Sequence, residues 1–347
     1  MTDRTAVAAA GSVPGPPIHD DADRRADRRD RAVALVRRSG AVVMLAVTLV
    51  AGTAGFGLNF VHPNNLLYTV AAGSAFLALV AIGMTFVIIT GGIDLSVGAV
   101  LAMSAVIAAW ASAQWGGIVG ISFALGAAGL VGLGQGVLIS MFRLPPFIVT
   151  LAGMQFARGI AFKVTDEGNQ TVLIGDIGWL RWLGRGTVLG IPVPVLIALI
   201  AFAIGSLVLA RTRTGQVVFA IGGSPDAASL MGLPVRRVTT SVYVWSALLA
   251  GMAGVLIAAR SSTGEPTAGY GMELQAIAAV VIGGALLTGG AGKMSGTLAG
   301  VALLAVIQNL INQVGTLSQY FQDVVSGGFL LGVVLLQAGL ARRRRSP

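Results

Sequence analysis

The stretch GMTFVIITGGIDLSVGAVLAMSAVIAAW, residues 83–110, decides the fold. It is apolar enough to lie in lipid on both sides of a small polar island formed by Thr90, Gly91, Gly92, Asp94 and Ser96. A lone carboxylate between two membrane-length apolar runs is costly, and the cost falls at an interface, a helix break or a water-filled path. The glycines let the helix break there, which is tolerated at membrane depth only where protein or a cavity covers the freed backbone. Two readings of Asp94 and Ser96 stand side by side. Both are good N-cap types and suit the start of the next helix. Both also suit contact with a polar molecule crossing the membrane.

The rest of the chain is of the same material. Hydrophobic residues make up 55% and charged residues 11%, against about a quarter charged in a soluble domain. Mean hydropathy is +0.84. The 49 glycines suit helices that approach closely in a bilayer. With no cysteine, disulfide and thiol chemistry are excluded. His19 and His62 lie far apart, and no metal-ligand spacing exists. The fold class is therefore all-α, a polytopic membrane protein.

Apolar runs at 40–60, 66–89, 96–113, 117–142, 146–164, 191–210, 239–259, 274–289, 295–315 and 321–340 predict about ten spans, each near the roughly 20 residues that cross a hydrocarbon core. Pro145-Pro146 suits a helix start. Trp179 and Trp182, in the loop 165–190, suit a membrane interface. Residues 1–38 are a different material, rich in Pro, Gly and mixed charge, with too little apolar surface to fold alone. They read as a disordered cytosolic tail, and so long a polar lead argues against a cleaved signal peptide. Residues 39–341 read as the transmembrane domain and 342–347 as a basic cytosolic tail.

Lysine and arginine set the orientation. Placing both termini in the cytosol keeps Arg143, Arg211, Arg213, Arg236, Arg237, Lys293 and Arg342 to Arg345 inside. Arg158, Lys163, Arg181, Arg185 and Arg260 then fall at the outer side. The net charge of +9 follows from this bias and needs no nucleic acid; the acids interleaved with the tail arginines point the same way. TGGIDLSVGAVLA at 90–102 and TGGAGKMSGTLAG at 288–300 echo each other after an apolar run, which predicts two pseudo-repeated halves of parallel orientation.

Polar groups on otherwise apolar spans are the candidate lining of a path: Asp94, Ser96, Gln155, Asn309 and Asn312, with Phe86 and Phe156 as aromatic platforms. The competing reading is helix–helix hydrogen bonding, and it is the stronger one for Asn309 and Asn312, three apart on one face. The longest cytosolic stretch, 211–238, contains SPDAASLMG. Ser224 reads as an N-cap, Pro225 as the first helical residue, Asp226 as the first-turn acid, and Gly232-Leu233-Pro234 as the stop. Such a short helix serves as a docking element or as an interfacial linker. GGAGKMS at 289–295 lacks the glycine and hydroxyl spacing of a phosphate-binding loop, so no ATPase site is present. No Ser/His/Asp set, HExxH or paired carboxylates on one span point to an enzyme.

GMTFVIITGGIDLSVGA, AIGGSPDAASLMGLPVRRV and PTAGYGMELQAIAAVVIGGALLTGGAGKMSGTLAG (266–300) together resemble the signatures of the membrane permease subunit of bacterial ABC sugar importers, ribose/xylose type. The similarity runs over roughly residues 40–340. In that family a Glu-Ala-Ala…Gly pattern docks the ATPase, and Asp226, Ala227, Ala228 and Gly232 hold those places, aspartate replacing the usual glutamate. The resemblance implies a second permease copy, ATP-binding cassette subunits that bind the ATP, an extracytoplasmic sugar-binding protein, and no cofactor on this chain. The alternatives are a permease for branched-chain amino acids and an ion-coupled secondary transporter. The IDLS and PTAG segments favour sugar, and the scarcity of mid-span acids disfavours ion coupling.

Overall fold

The computed structural model describes residues 40–315 and the helical positions Phe321, Val324, Gly327, Gly328, Leu331, Gly332 and Leu335. The tails 1–38 and 342–347 and most of the expected span 321–340 lie outside the described residues. Helix α1 is Gly40–Phe56. Among the described residues, seven helices are long and apolar enough to cross a membrane: α2 Asn65–Ile89, α3 Val97–Trp115, α4 Gly117–Ser140, α5 Pro146–Val164, α7 Val193–Arg211, α10 Val235–Ser261 and α12 Met294–Val314. Between them lie α6 Gly178–Arg185, α8 Arg213–Gly223, α9 Pro225–Leu230 and α11 Met272–Ile282. Two short ribbons complete the chain: β1 Val172–Leu173 pairs antiparallel with β4 Thr263–Gly264, and β2 Thr187–Val188 with β3 Ile191–Pro192.

Helices α2 and α3 are apolar all round, which is the pattern of a helix enclosed by others. They are accordingly the most buried of the seven, whereas α4 and α5 are the least. α10 packs against α2, α3 and α4. Its contact with α4 is close because Gly132 and Gly136, one turn apart, sit on the α10 backbone at Val244 and Thr240. α2 opens with a π-helical turn, Asn65–Ala71. Such turns displace backbone partners, and Arg260 at the end of α10 donates to the Ala72 carbonyl at 3.0 Å.

Two chain breaks shape the interior. The first is the expected one: α2 ends at Ile89, Gly91 takes φ +81°, and α3 starts at Val97. The second departs from the sequence reading, which ran a span over 274–289. After β4 the chain descends beside α3, Gly264 packing on Val106 and Gly269 on Gly98. Those eight α3 residues correspond to about 12 Å. α11 starts there and ends at Ile282, because Gly283 and Gly284 (φ +96°) stop it. At 1.5 Å per residue it is about 16 Å long, roughly half a hydrocarbon core. The loop 165–190 contains β1, α6 and β2, with Trp179 and Trp182 half exposed on α6.

Candidate functional site

The polar island folds into a closed knot. Asp94 is fully buried in the connection between α2 and α3. Its Oδ1 accepts from Ser96 N at 2.9 Å and Ser96 Oγ at 2.6 Å, and its Oδ2 accepts from Ser246 Oγ of α10 at 2.8 Å. Burial pushes the Asp94 carboxyl up from its ordinary value, and the bonds from Ser96 and Ser246 pull it back. The Gln135 amide of α4 lies 3.3 Å from Ser96 Oγ. That hydroxyl has one proton and gives it to the carboxylate, so the amide serves the site best with its NH2 turned toward Ser96. Tyr243 of α10 is buried beside the knot, against Gly92. The knot of Asp94 and Ser96 thus joins the α2–α3 connection to α4 and α10, and the Asp94 oxygens are occupied inside the chain, which is the satisfied form a buried carboxylate needs. Ser96 stands at the N-cap position of α3 but makes no capping bond; the Asp94 side chain takes its N–H instead.

The other proposed path residues are not gathered there. Phe86 is buried on α2 and faces Gly205 of α7. Gln155 and Phe156 are exposed on α5, Phe156 lining an apolar groove of about 530 Å³ with Met103, Leu130 and Val149. Asn309 is buried on α12 with its amide nitrogen lacking a hydrogen-bond partner among the described residues, while Asn312 is exposed. Thr297 of α12 meets Thr85 of α2 at 2.8 Å. Asn309 is twelve residues further, about 18 Å along the axis, and so lies far from the Asp94 end of α2.

The short helix forms as the sequence reads. Ser224 Oγ accepts from Ala227 N at 3.2 Å, Pro225 opens α9, and Gly232 closes it at φ +74°. The two alanines differ: Ala227 is exposed, whereas Ala228 is fully buried in this chain's own core. Asp226, Ala227, Leu230 and Met231 form the exposed side of α9, and Ala228 anchors the helix from beneath.

Just ahead of α9 sits a junction that no local pattern reveals. The echoing turns Thr90-Gly91-Gly92 and Thr288-Gly289-Gly290 touch: Gly290 N donates to Ile89 O at 2.9 Å, and Gly91 lies against Thr288 O. Gly222 of α8 closes onto this contact, so tightly that a Cβ there would strike Ile89 O and Gly290 N. Two residues separate it from α9. α9 is therefore joined closely to the backbone at which α2 ends and α12 is about to begin.

One cluster was missed from the sequence. Arg158, assigned there only to the outer charge balance, is buried on α5 and donates from Nη1 to Pro266 O at 2.5 Å and Ala268 O at 3.0 Å. Its guanidinium lies 4.0 Å from the centroid of the Tyr270 ring. The signal was available, since an arginine inside an apolar span marks a site by default.

The chain matches the family model described as branched-chain amino acid transport system / permease component over residues 66–334. It is 40% identical over 279 residues to the ribose import permease protein RbsC of Bacillus subtilis (strain 168), covering 80% of this chain and 86% of that protein. It is 39% identical over 298 residues to the inner membrane ABC transporter permease protein YjfF of Escherichia coli (strain K12), covering 82% and 88%. The L-arabinose ABC transporter permease protein AraH of Azospirillum brasilense is 36% identical over 335 residues, covering 95% and 96%. No solved structure matches the chain.

Proposed function

This chain belongs to the branched-chain amino acid transport system / permease component family, and from that premise we propose that it is the membrane subunit of an ATP-driven importer of a monosaccharide. Two copies form the path, ATP-binding cassette subunits bind and hydrolyse the ATP, and an extracytoplasmic protein delivers the sugar. Relatives named as a ribose import permease and an L-arabinose ABC transporter permease, each aligned over most of this chain, support sugar over branched-chain amino acids. Both termini and α9 face the cytosol and residues 165–190 face outward, in keeping with the lysine and arginine bias; the segment 260–273, expected outside as a loop, instead turns inward after β4 and descends along α3 from Val106 to Gly98.

The observation that carries the reading is the join between α9 and the membrane helices. α9 is capped at both ends, presents exposed apolar and acidic side chains, and is tied through Gly222 to the paired turns. ATP binding by a docked subunit shifts the inward/outward equilibrium only if it bears differently on the two states. A rigid helix two residues from a glycine-packed junction gives it a means to do so. The test is uptake of labelled D-ribose and L-arabinose into vesicles carrying the assembled importer. ATP-dependent uptake of at least one sugar is expected, with loss of the ATP-binding subunit from the purified complex in Gly232→Val. ATP-independent uptake would refute the reading.

A further inference from the structure

Helix α5 is the least apolar of the seven spans, yet most of it is uncovered in the monomer. Its face carries exposed Gln155 one turn from buried Arg158. The partners of Arg158 come from the loop 265–271, which runs inward along α3 from Val106 to Gly98 before α11 begins. The cluster thus lies within the membrane layer. There a freed carbonyl needs a protein donor, and Arg158 supplies one to both Pro266 and Ala268.

Beneath this loop, Glu273 in the first turn of α11 packs against Gly98, where no Cβ has room. Its charge interacts with that of Arg158. Cation and carboxylate offset each other, so the cluster has little net charge. Above it, the Tyr270 ring is 62% exposed and Thr267 is exposed. Gln155, Thr267 and Tyr270 backed by a buried cation do not suit contact with lipid tails. They suit a wetted surface, and the fully enclosed Asp94 does not.

We propose that Gln155, Tyr270 and Glu273 form a subsite for a neutral monosaccharide in the permeation path, with Arg158 as its positioning residue. The proposal deepens the importer reading and rests on it. Tyr270 offers a flat face for the C–H side of a sugar ring; its orientation is held by the guanidinium over it. Gln155 donates to and accepts from hydroxyls, and Glu273 accepts. The balanced charge favours a neutral polyol over an ionic cargo. A few placed polar groups around an apolar face are what such a ligand requires.

The chain has no cysteine, so single cysteines report without background. Gln155→Cys, Thr267→Cys and, as a control on α7, Ile200→Cys are treated in the assembled importer with a hydrophilic methanethiosulfonate. The expected result is labelling at 155 and 267 but not at 200, slowed several-fold when D-ribose or L-arabinose is being transported. Tyr270→Phe should keep near-normal turnover and Tyr270→Ala lose about ten-fold, the equivalent of one aromatic contact. A purely structural role for the loop predicts unreactive cysteines, or labelling indifferent to sugar, and either overturns the proposal. So does equal loss in Tyr270→Phe and Tyr270→Ala. Failure of the wild-type importer to take up either sugar refutes the underlying reading instead, and is seen before any variant is made.

Discussion

Adjacent glycines at the end of α8 predict opposite outcomes for the same substitution. In Gly222→Ala the new methyl lands in the hydrogen bond from Gly290 N to Ile89 O, 2.9 Å long, with Gly290 Cα 3.0 Å away. All three neighbours are backbone, so no flexible side chain can yield. Overpacking of this kind costs about 1–3 kcal/mol, and loss of the hydrogen bond adds about 0.5–1.5 kcal/mol. The expected destabilisation is therefore about 1.5–4.5 kcal/mol. In Gly223→Ala the methyl meets nothing within 4 Å. Replacing glycine by alanine in a helix is then worth up to about 1 kcal/mol in the other direction. The two variants are compared by thermal unfolding of the purified protein in detergent and by sugar-stimulated ATP hydrolysis in the reconstituted importer. Gly222→Ala should unfold earlier and lose stimulation, while Gly223→Ala matches or slightly exceeds the wild type. Equal behaviour of the two would refute the junction as the link between α9 and the paired turns.

Further outcomes follow from single residues. Gly232→Val puts a β-branched residue at φ +74°, a strain of about 1–2 kcal/mol; because nothing lies within 4 Å, the damage is to the turn, and Gly232→Asn should retain more of the bound ATP-binding subunit in co-purification. Asp226→Lys reverses an exposed charge at the start of α9 and should be milder, about 0.3–1 kcal/mol. Ser246→Ala leaves Asp94 Oδ2 without its 2.8 Å donor and should destabilise by about 1–3 kcal/mol in the same unfolding assay. A reporter fused within 165–190 should read as extracytoplasmic; a cytosolic signal would reverse the orientation.

Much of this was legible because it is local. Span limits follow apolar run length, and α5 begins at the proline expected of it. Ser224, Pro225 and Gly232 delimit α9 through their own backbone chemistry. What escaped depends on distance in the chain. The apolar run 274–289 is continuous in composition, so hydropathy does not separate a full span from a half helix followed by a glycine turn. The meeting of residues 89–91 with 288–290 and 222 is made by tertiary packing alone. Ala227 and Ala228 are identical in type, and only packing decides that one faces the core. For Asp94 the sequence leaves a helix cap and a path contact side by side, because its cost is plain locally while the donors that offset it, above all Ser246 152 residues away, are not.

The central claim, that α9 receives the stroke of an ATP-binding subunit, is tested most directly by cross-linking from α9 itself. Leu230 is 90% exposed there, and Leu230→Cys would be the only thiol in the chain. In the assembled importer a short thiol-to-amine cross-linker at position 230 should capture the ATP-binding subunit, with a yield that changes on adding ATP. The same cysteine placed at Trp179 on α6 should capture none of it. Capture from position 179 and not from position 230 would contradict the account.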